Sequence, residues 1–78
     1  MKVGIIGAGR IGNHLAYSAR KKGWEVVVTD KSVDSLERFM NVIYPERYGA
    51  YDCDIQLIEM SKFWQIKFDL ICNWIRIF

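Results

Sequence analysis

The stretch Gly7-Ala8-Gly9-Arg10-Ile11-Gly12 follows directly on the apolar run Val3-Gly4-Ile5-Ile6, and no other feature restricts the fold of this chain so tightly. Glycines at this spacing let a chain leave a strand in a tight turn, bring a ligand close to the backbone at the second glycine, and seat a helix on the strand at the third. The short apolar run suits a central parallel strand covered on both faces. Helical spacing starts at about Arg10: Ile11, Leu15 and Ala19 recur every four residues and predict the buried face, leaving Arg10, Asn13 and Arg20 to solvent. Lys21 and Lys22 favour the negative end of that helix, and Gly23 supplies the left-handed residue that stops it.

Trp24-Glu25-Val26-Val27-Val28-Thr29, bounded by Gly23 and Asp30, reads as a second parallel strand. Strand, helix and strand occupy about 30 residues, the usual size of a βαβ unit. Ser32 is placed to cap a second helix with Val33, Leu36, Met40 and Ile43 as its buried stripe, and Pro45 predicts its end at Tyr44. Farther on, Tyr48-Gly49-Ala50-Tyr51 predicts a short third strand, and Asp52 or Asp54 the cap of a helix carrying Ile55, Leu57, Ile58 and Met60. Phe68-Asp69-Leu70-Ile71-Cys72 predicts a last buried strand, which right-handed crossovers place beside the first, opposite the second. The expected fold is α/β and Rossmann-like, with about four mostly parallel strands in the order 3-2-1-4 and flanking helices. Residues 1–78 would form a single, partial dinucleotide-binding domain.

The second strand ends at Asp30, about 20 residues past the glycine loop, where a carboxylate can accept hydrogen bonds from the adenosine ribose hydroxyls of a dinucleotide. Taken singly, a tight turn accounts for the glycines and a helix start for Asp30. In register with strand, helix and strand, they point together to the pyrophosphate of NAD or NADP at the helix N-terminus. Ala8, Arg10 and Ile11 would line the loop through backbone amides, between Gly7, Gly9 and Gly12. An ionised Asp30 repels a 2′-phosphate and favours NAD, while Lys31, Ser32 and Arg10 soften that discrimination.

Composition excludes several alternatives. Seventy-eight residues allow one small domain, able to bury roughly 60% of the surface of its unfolded chain. A net charge of +2, with Lys and Arg scattered, lacks the footprint of a nucleic-acid binder. Cys53 and Cys72 have neither zinc-site spacing nor disulfide-scaffold density, which suits reduced thiols in the cytoplasm. No run approaches the ~20 apolar residues of a membrane span, and Met1-Lys2 leads into no signal-like segment. His14, the single histidine, has no triad or metal partners at suitable spacing and reads as a surface residue. Tyr44, Tyr48, Tyr51, Phe63 and Trp64 read as core or adenine-pocket lining, Cys72 as a small core residue, and Asp52 and Asp54 as a turn and helix start.

The opening KVGIIGAGRIGNHLAYSARKKGWEVVVTDKS resembles the cofactor domain of several NAD(P)-dependent dehydrogenase groups. The stretch YPERYGAYDCDIQLIEMSKFWQIKFDLIC looks most like the glucose-fructose oxidoreductase and inositol dehydrogenase family, then like the 3-hydroxyisobutyrate, 6-phosphogluconate and prephenate dehydrogenase groups. The resemblance implies an oxidoreductase acting on a sugar, polyol or hydroxy acid. It carries over Gly7, Gly9 and Gly12 for the phosphates and Asp30 for the ribose. The Thr-Pro turn and Glu-Lys-Pro motif of that first family have no counterpart in Asn73-Trp74-Ile75-Arg76-Ile77-Phe78, so no catalytic residue transfers. That apolar end suggests a truncated or frameshifted gene, or burial against a second copy, the plainer alternative being that it extends the last strand into the core. The competing reading is a non-enzymatic nucleotide-binding or dimerisation module.

Overall fold

The computed structural model describes residues 1–73. Trp74, Ile75, Ile77 and Phe78, the residues expected to mediate dimerisation, lie outside them. Four parallel strands form one sheet in the order β3-β2-β1-β4. They are β1 (Lys2–Ile6), β2 (Glu25–Thr29), β3 (Ile55–Leu57) and β4 (Leu70–Asn73). Helices α1 (Arg10–Lys21), α2 (Val33–Arg38), α3 (Tyr44–Tyr48) and α4 (Met60–Phe63) connect them. This is the Rossmann-like arrangement that the apolar runs and crossover handedness require. Among the described residues no helix is long and apolar enough to cross a membrane.

Alternation along the strands divides the core between two faces. Val3 and Ile5 of β1, with Val26 and Val28 of β2, face α1 and the helical stretch after β2, where Ala16, Ala19, Leu36, Phe39 and Tyr44 complete the larger cluster. Ile6 and Val27 face the other way, onto Phe63 of the single-turn α4. Gly4 makes room for that ring: a Cβ there would stand 2.6 Å from it. At the sheet margin Leu70 and Ile71 of β4 stay exposed, and Cys72 is half-buried rather than a core residue.

On α1 the buried residues are Gly12, Asn13, Ala16 and Ala19, while Ile11 is exposed. Ile11 and Asn13 therefore exchange the positions expected of them. The glycine loop decides this, because Gly12 must lie against Gly7 and Ile5, and that contact sets the rotation of the whole helix. Leu15 is left packed at the margin of the cluster. Gly23 has φ +78, and its N–H bonds the Arg20 carbonyl, closing the helix as expected.

Ser32 caps α2 by accepting from the Ser35 N–H, as its position implies. The expected stripe and stop are both corrected. Val33 and Met40 are exposed, whereas Leu36, Phe39 and Tyr44 are buried. The five-residue step from Phe39 to Tyr44 is that of the π-helical turn Phe39–Ile43, in which the Tyr44 N–H reaches the Phe39 carbonyl. The wider turn carries Met40 outward and Tyr44 inward. Pro45 does not end the helix, because it falls in the first turn of α3, where a missing N–H is tolerated. The helical stretch stops at Gly49, with φ +88.

The third strand is Ile55–Leu57, not Tyr48–Tyr51, and Asp52 and Asp54 start no helix. Asp52 Oδ1 accepts from the Asp54 N–H, and the Tyr51 hydroxyl donates to the Ile55 carbonyl at 2.6 Å, so this segment turns directly into the sheet. Arg20 ties it to α1. Its guanidinium donates to Asp52 at 3.1 Å, Asp54 at 3.0 Å and the Trp24 carbonyl at 3.0 Å.

Candidate functional site

At the carboxyl ends of β1 and β2 the glycine loop opens into a groove of about 1030 Å³, floored by residues 7–14 and Asp30 and walled by Lys31 and the α2–α3 stretch. Open parallel sheets bind ligands at this end of their strands. Gly7 leaves β1 with φ +119, a conformation that side-chain-bearing residues rarely adopt, and its N–H donates to the Thr29 carbonyl at 2.8 Å. Gly12 is demanded by the protein itself, since a Cβ there would collide with the Gly7 carbonyl oxygen.

Gly9 is different. Its φ of −91° suits any residue, and a Cβ would meet nothing within 4 Å. No contact among the described residues requires glycine at this position, whereas a ligand pressed against the backbone would. The same loop begins a twelve-residue helix whose first amide to find a carbonyl is that of Asn13, on Gly9 at 2.9 Å. The N–H groups of Arg10, Ile11 and Gly12 form the open, positively polarised end. The residues present thus fit a pyrophosphate.

Asp30 and the glycine loop are brought into direct contact. One carboxylate oxygen accepts the Ala8 N–H at 2.9 Å and the other accepts the Ser32 N–H at 3.0 Å. Ala8 therefore spends its amide on Asp30, which corrects the expectation that this N–H lines the loop for phosphate. A carboxylate offers about four acceptor sites, so both oxygens keep capacity for hydroxyl donors.

Arg10, Lys31, Arg38 and Arg47 line the groove against two carboxylates, Asp30 and Glu46, and none of the four cations forms an ion pair among the described residues. That excess favours a polyanion. The sequence pattern marks none of Arg38, Val42, Glu46 and Arg47: the first two lie off the expected buried stripe of the second helix, and the last two lie beyond its expected end at Tyr44. Read through Pro45, Ser35, Arg38, Val42 and Glu46 recur at helical spacing on the side away from Leu36 and Phe39.

Of the remaining candidates, His14 lines the groove and the others do not. His14 is exposed, with Nδ1 3.2 Å from the Tyr48 hydroxyl. The tyrosines pack with one another, Tyr17 stacking on Tyr48 at 3.8 Å, and none of them lines the groove. Burial, with Asp52 nearby, raises the Tyr44 and Tyr51 phenols above their usual range. Among the described residues no group of three or more His, Cys, Asp or Glu could hold a metal ion.

Residues 2–52 match the family of the 3-hydroxyacyl-CoA dehydrogenase, NAD binding domain. The chain belongs to that family. A 3-hydroxybutyryl-CoA dehydrogenase of Bradyrhizobium diazoefficiens is 48% identical over 42 residues, which are 54% of this chain and 14% of that protein. The chain thus spans a small part of the relative it matches. As a 3-hydroxyacyl-CoA dehydrogenase-type NAD-binding domain, it differs from the sugar and inositol dehydrogenases that residues 44–72 resemble. That likeness relied on a third strand at Tyr48–Tyr51, where the structure has a helix end and bends.

Proposed function

We propose that this domain holds the ADP-ribosyl half of NAD in the groove. The Gly7, Gly9, Arg10, Ile11 and Gly12 backbone wraps the pyrophosphate, Asp30 accepts the adenosine ribose hydroxyls, and Ala8 locks the loop to Asp30. Lys31, with Arg10, adds favourable charge near the phosphates. The observation that carries the reading is the Asp30 carboxylate bonded to the glycine loop through the Ala8 N–H at 2.9 Å. That bond holds Asp30 against the glycine loop and supports reading the two as one binding unit. NADP is the weaker ligand, because its 2′-phosphate would approach an anion.

In the corresponding dehydrogenase this unit would seat the cofactor for oxidation of a 3-hydroxyacyl thioester. NAD, when bound, supplies the hydride acceptor, and the protein's part here is binding and orientation. In this reading residues 1–78 form a single, partial dinucleotide-binding domain, and the free thiols of Cys53 and Cys72 support a cytoplasmic location.

Calorimetric titration with NAD and NADP, repeated on Asp30→Ala, tests the reading. Saturable NAD binding, tighter than NADP and at least tenfold weaker in the variant, is expected. Failure of the native chain to bind NAD overturns the proposal, and equal affinity in Asp30→Ala overturns the ribose role.

A further inference from the structure

Asn13 is the polar exception on the buried face of α1. Its neighbours there are Gly12, Ala16 and Ala19, yet Asn13 is 1% exposed. Its Oδ1 has no hydrogen-bond partner among the described residues. Buried polar atoms in folded proteins are nearly always paired, because an unpaired one has lost its water and gained nothing. Asparagine is also a poorer helix former than alanine, which would fit the small-residue pattern of this face. On both counts the residue weakens the fold it sits in. Such a residue is expected at a functional site, where local stability is sacrificed for a contact made only with a ligand.

Its position names the contact. Asn13 lines the groove floor, one turn into α1, directly after the Arg10, Ile11 and Gly12 amides. We propose that Asn13 is a cofactor-binding residue whose carboxamide donates a hydrogen bond to the pyrophosphate of the dinucleotide, so that this buried group is satisfied only in the complex. The carboxamide oxygen is the sealed, unpartnered end, and the nitrogen is not among the sealed atoms, so the N–H is the end that can meet a phosphate oxygen at the groove floor. Phosphate oxygens accept and do not donate, which makes the amide nitrogen the atom that matters. The inference rests on the NAD-binding reading above and adds a side-chain donor to a cradle otherwise made of backbone.

The test measures NAD affinity by calorimetry and apo stability by thermal unfolding on the native 78-residue chain, Asn13→Ala and Asn13→Asp. Asn13→Ala is expected to melt no lower than the native chain without ligand, yet to bind NAD about tenfold more weakly, as loss of one hydrogen bond to a charged group implies. Asn13→Asp keeps the shape, loses the donor and sets a carboxylate against the phosphates, so it should bind more weakly still. Native affinity in Asn13→Ala overturns the proposal, as does a lowered apo melting temperature with unchanged affinity, which would assign Asn13 to the fold alone. Native affinity in Asn13→Asp overturns the pyrophosphate assignment, since an acceptor would then suffice. If the native chain itself binds no NAD, the reading beneath the inference falls first, and the two failures are distinct.

Discussion

Residues 2–30 and residues 31–73 divide labour differently between folding and binding. In the first stretch the same residues shape the chain and line the groove: Gly7 turns it out of β1, Gly12 seats α1, and Asp30 ends β2 while clamping the loop. In the second stretch the two duties lie on opposite faces of one helical segment. Leu36, Phe39 and Tyr44 pack inward, while Arg38, Val42 and Glu46 wall the groove. Phe63 and Phe68 touch no part of it. Substitutions among the shared residues should therefore move folding and NAD binding together, and core substitutions beyond Asp30 should move folding alone.

The largest effect is expected at Gly12. Gly12→Ala drives a Cβ into the Gly7 carbonyl oxygen, and Gly7 cannot retreat without breaking its bond to Thr29. Overpacking of this kind costs about 1–3 kcal/mol or more. At roughly 4–8 °C per kcal/mol for a domain of this size, the melting temperature should fall by about 4–24 °C. NAD binding should drop below calorimetric detection, because the displaced backbone is the proposed cradle. A variant that melts normally or still binds would break the comparison at its strongest point.

Phe63→Leu probes the other stretch. The ring is fully buried, stacks on Phe68 at 4.7 Å and fills the space over Gly4. Its replacement should cost about 1–2 kcal/mol, from lost apolar burial and an imperfectly filled gap. The folded fraction should bind NAD with native affinity. A change in affinity beyond about twofold would show that the α4 face reports to the groove after all.

Alkali gives a smaller effect in the same direction. Burial raises the Tyr44 and Tyr51 phenols above the ordinary value of 10.0, with Asp52 adding to both shifts. Above pH 10 the unfolded chain releases these protons while the folded chain retains them, so the folded state binds more protons and stability falls as pH rises. Below that pH both states are neutral and the contribution is constant. Melting temperatures between pH 8 and 11 should decline only toward the upper end, and Tyr44→Phe, which keeps the ring and removes the proton, should shallow the decline. An unchanged profile in that variant would place the alkaline sensitivity elsewhere.

The same division explains what could be read from sequence. Gly7, Gly9, Gly12, Asp30 and the two strands around them obey local rules with few alternatives, and all four strands take the expected order. Beyond Asp30, local rules compete. The π turn shifts the buried stripe by one residue, which no periodicity of 3.6 anticipates, and it lets Pro45 sit inside a helical stretch instead of ending it. Ile55, Gln56 and Leu57 become a strand because β2 offers an edge and Tyr51 and Arg20 anchor the turn before them. Those are tertiary causes. The burial of Asn13 has the same origin, because the Gly7–Gly12 contact rotates α1 and no residue of the helix alone reveals it.

Gly9→Ala should have the smallest effect on the fold, and it separates two reasons for a glycine within one loop. The backbone at Gly9 is unstrained and its side-chain direction is open, so an added methyl meets no atom of the described residues within 4 Å. Alanine is a poorer helix cap than glycine but restricts the unfolded chain more, and these effects oppose each other. The melting temperature should therefore change by no more than about 0.5 kcal/mol would produce. NAD affinity should nevertheless fall about tenfold or more, because the methyl would occupy the space through which the proposed pyrophosphate site is reached. Gly12→Ala and Gly9→Ala are the same chemical change three residues apart, one losing fold and ligand together and the other losing ligand alone. If Gly9→Ala binds NAD normally, the phosphates lie elsewhere in the groove, and the loop's second glycine is left without either reason.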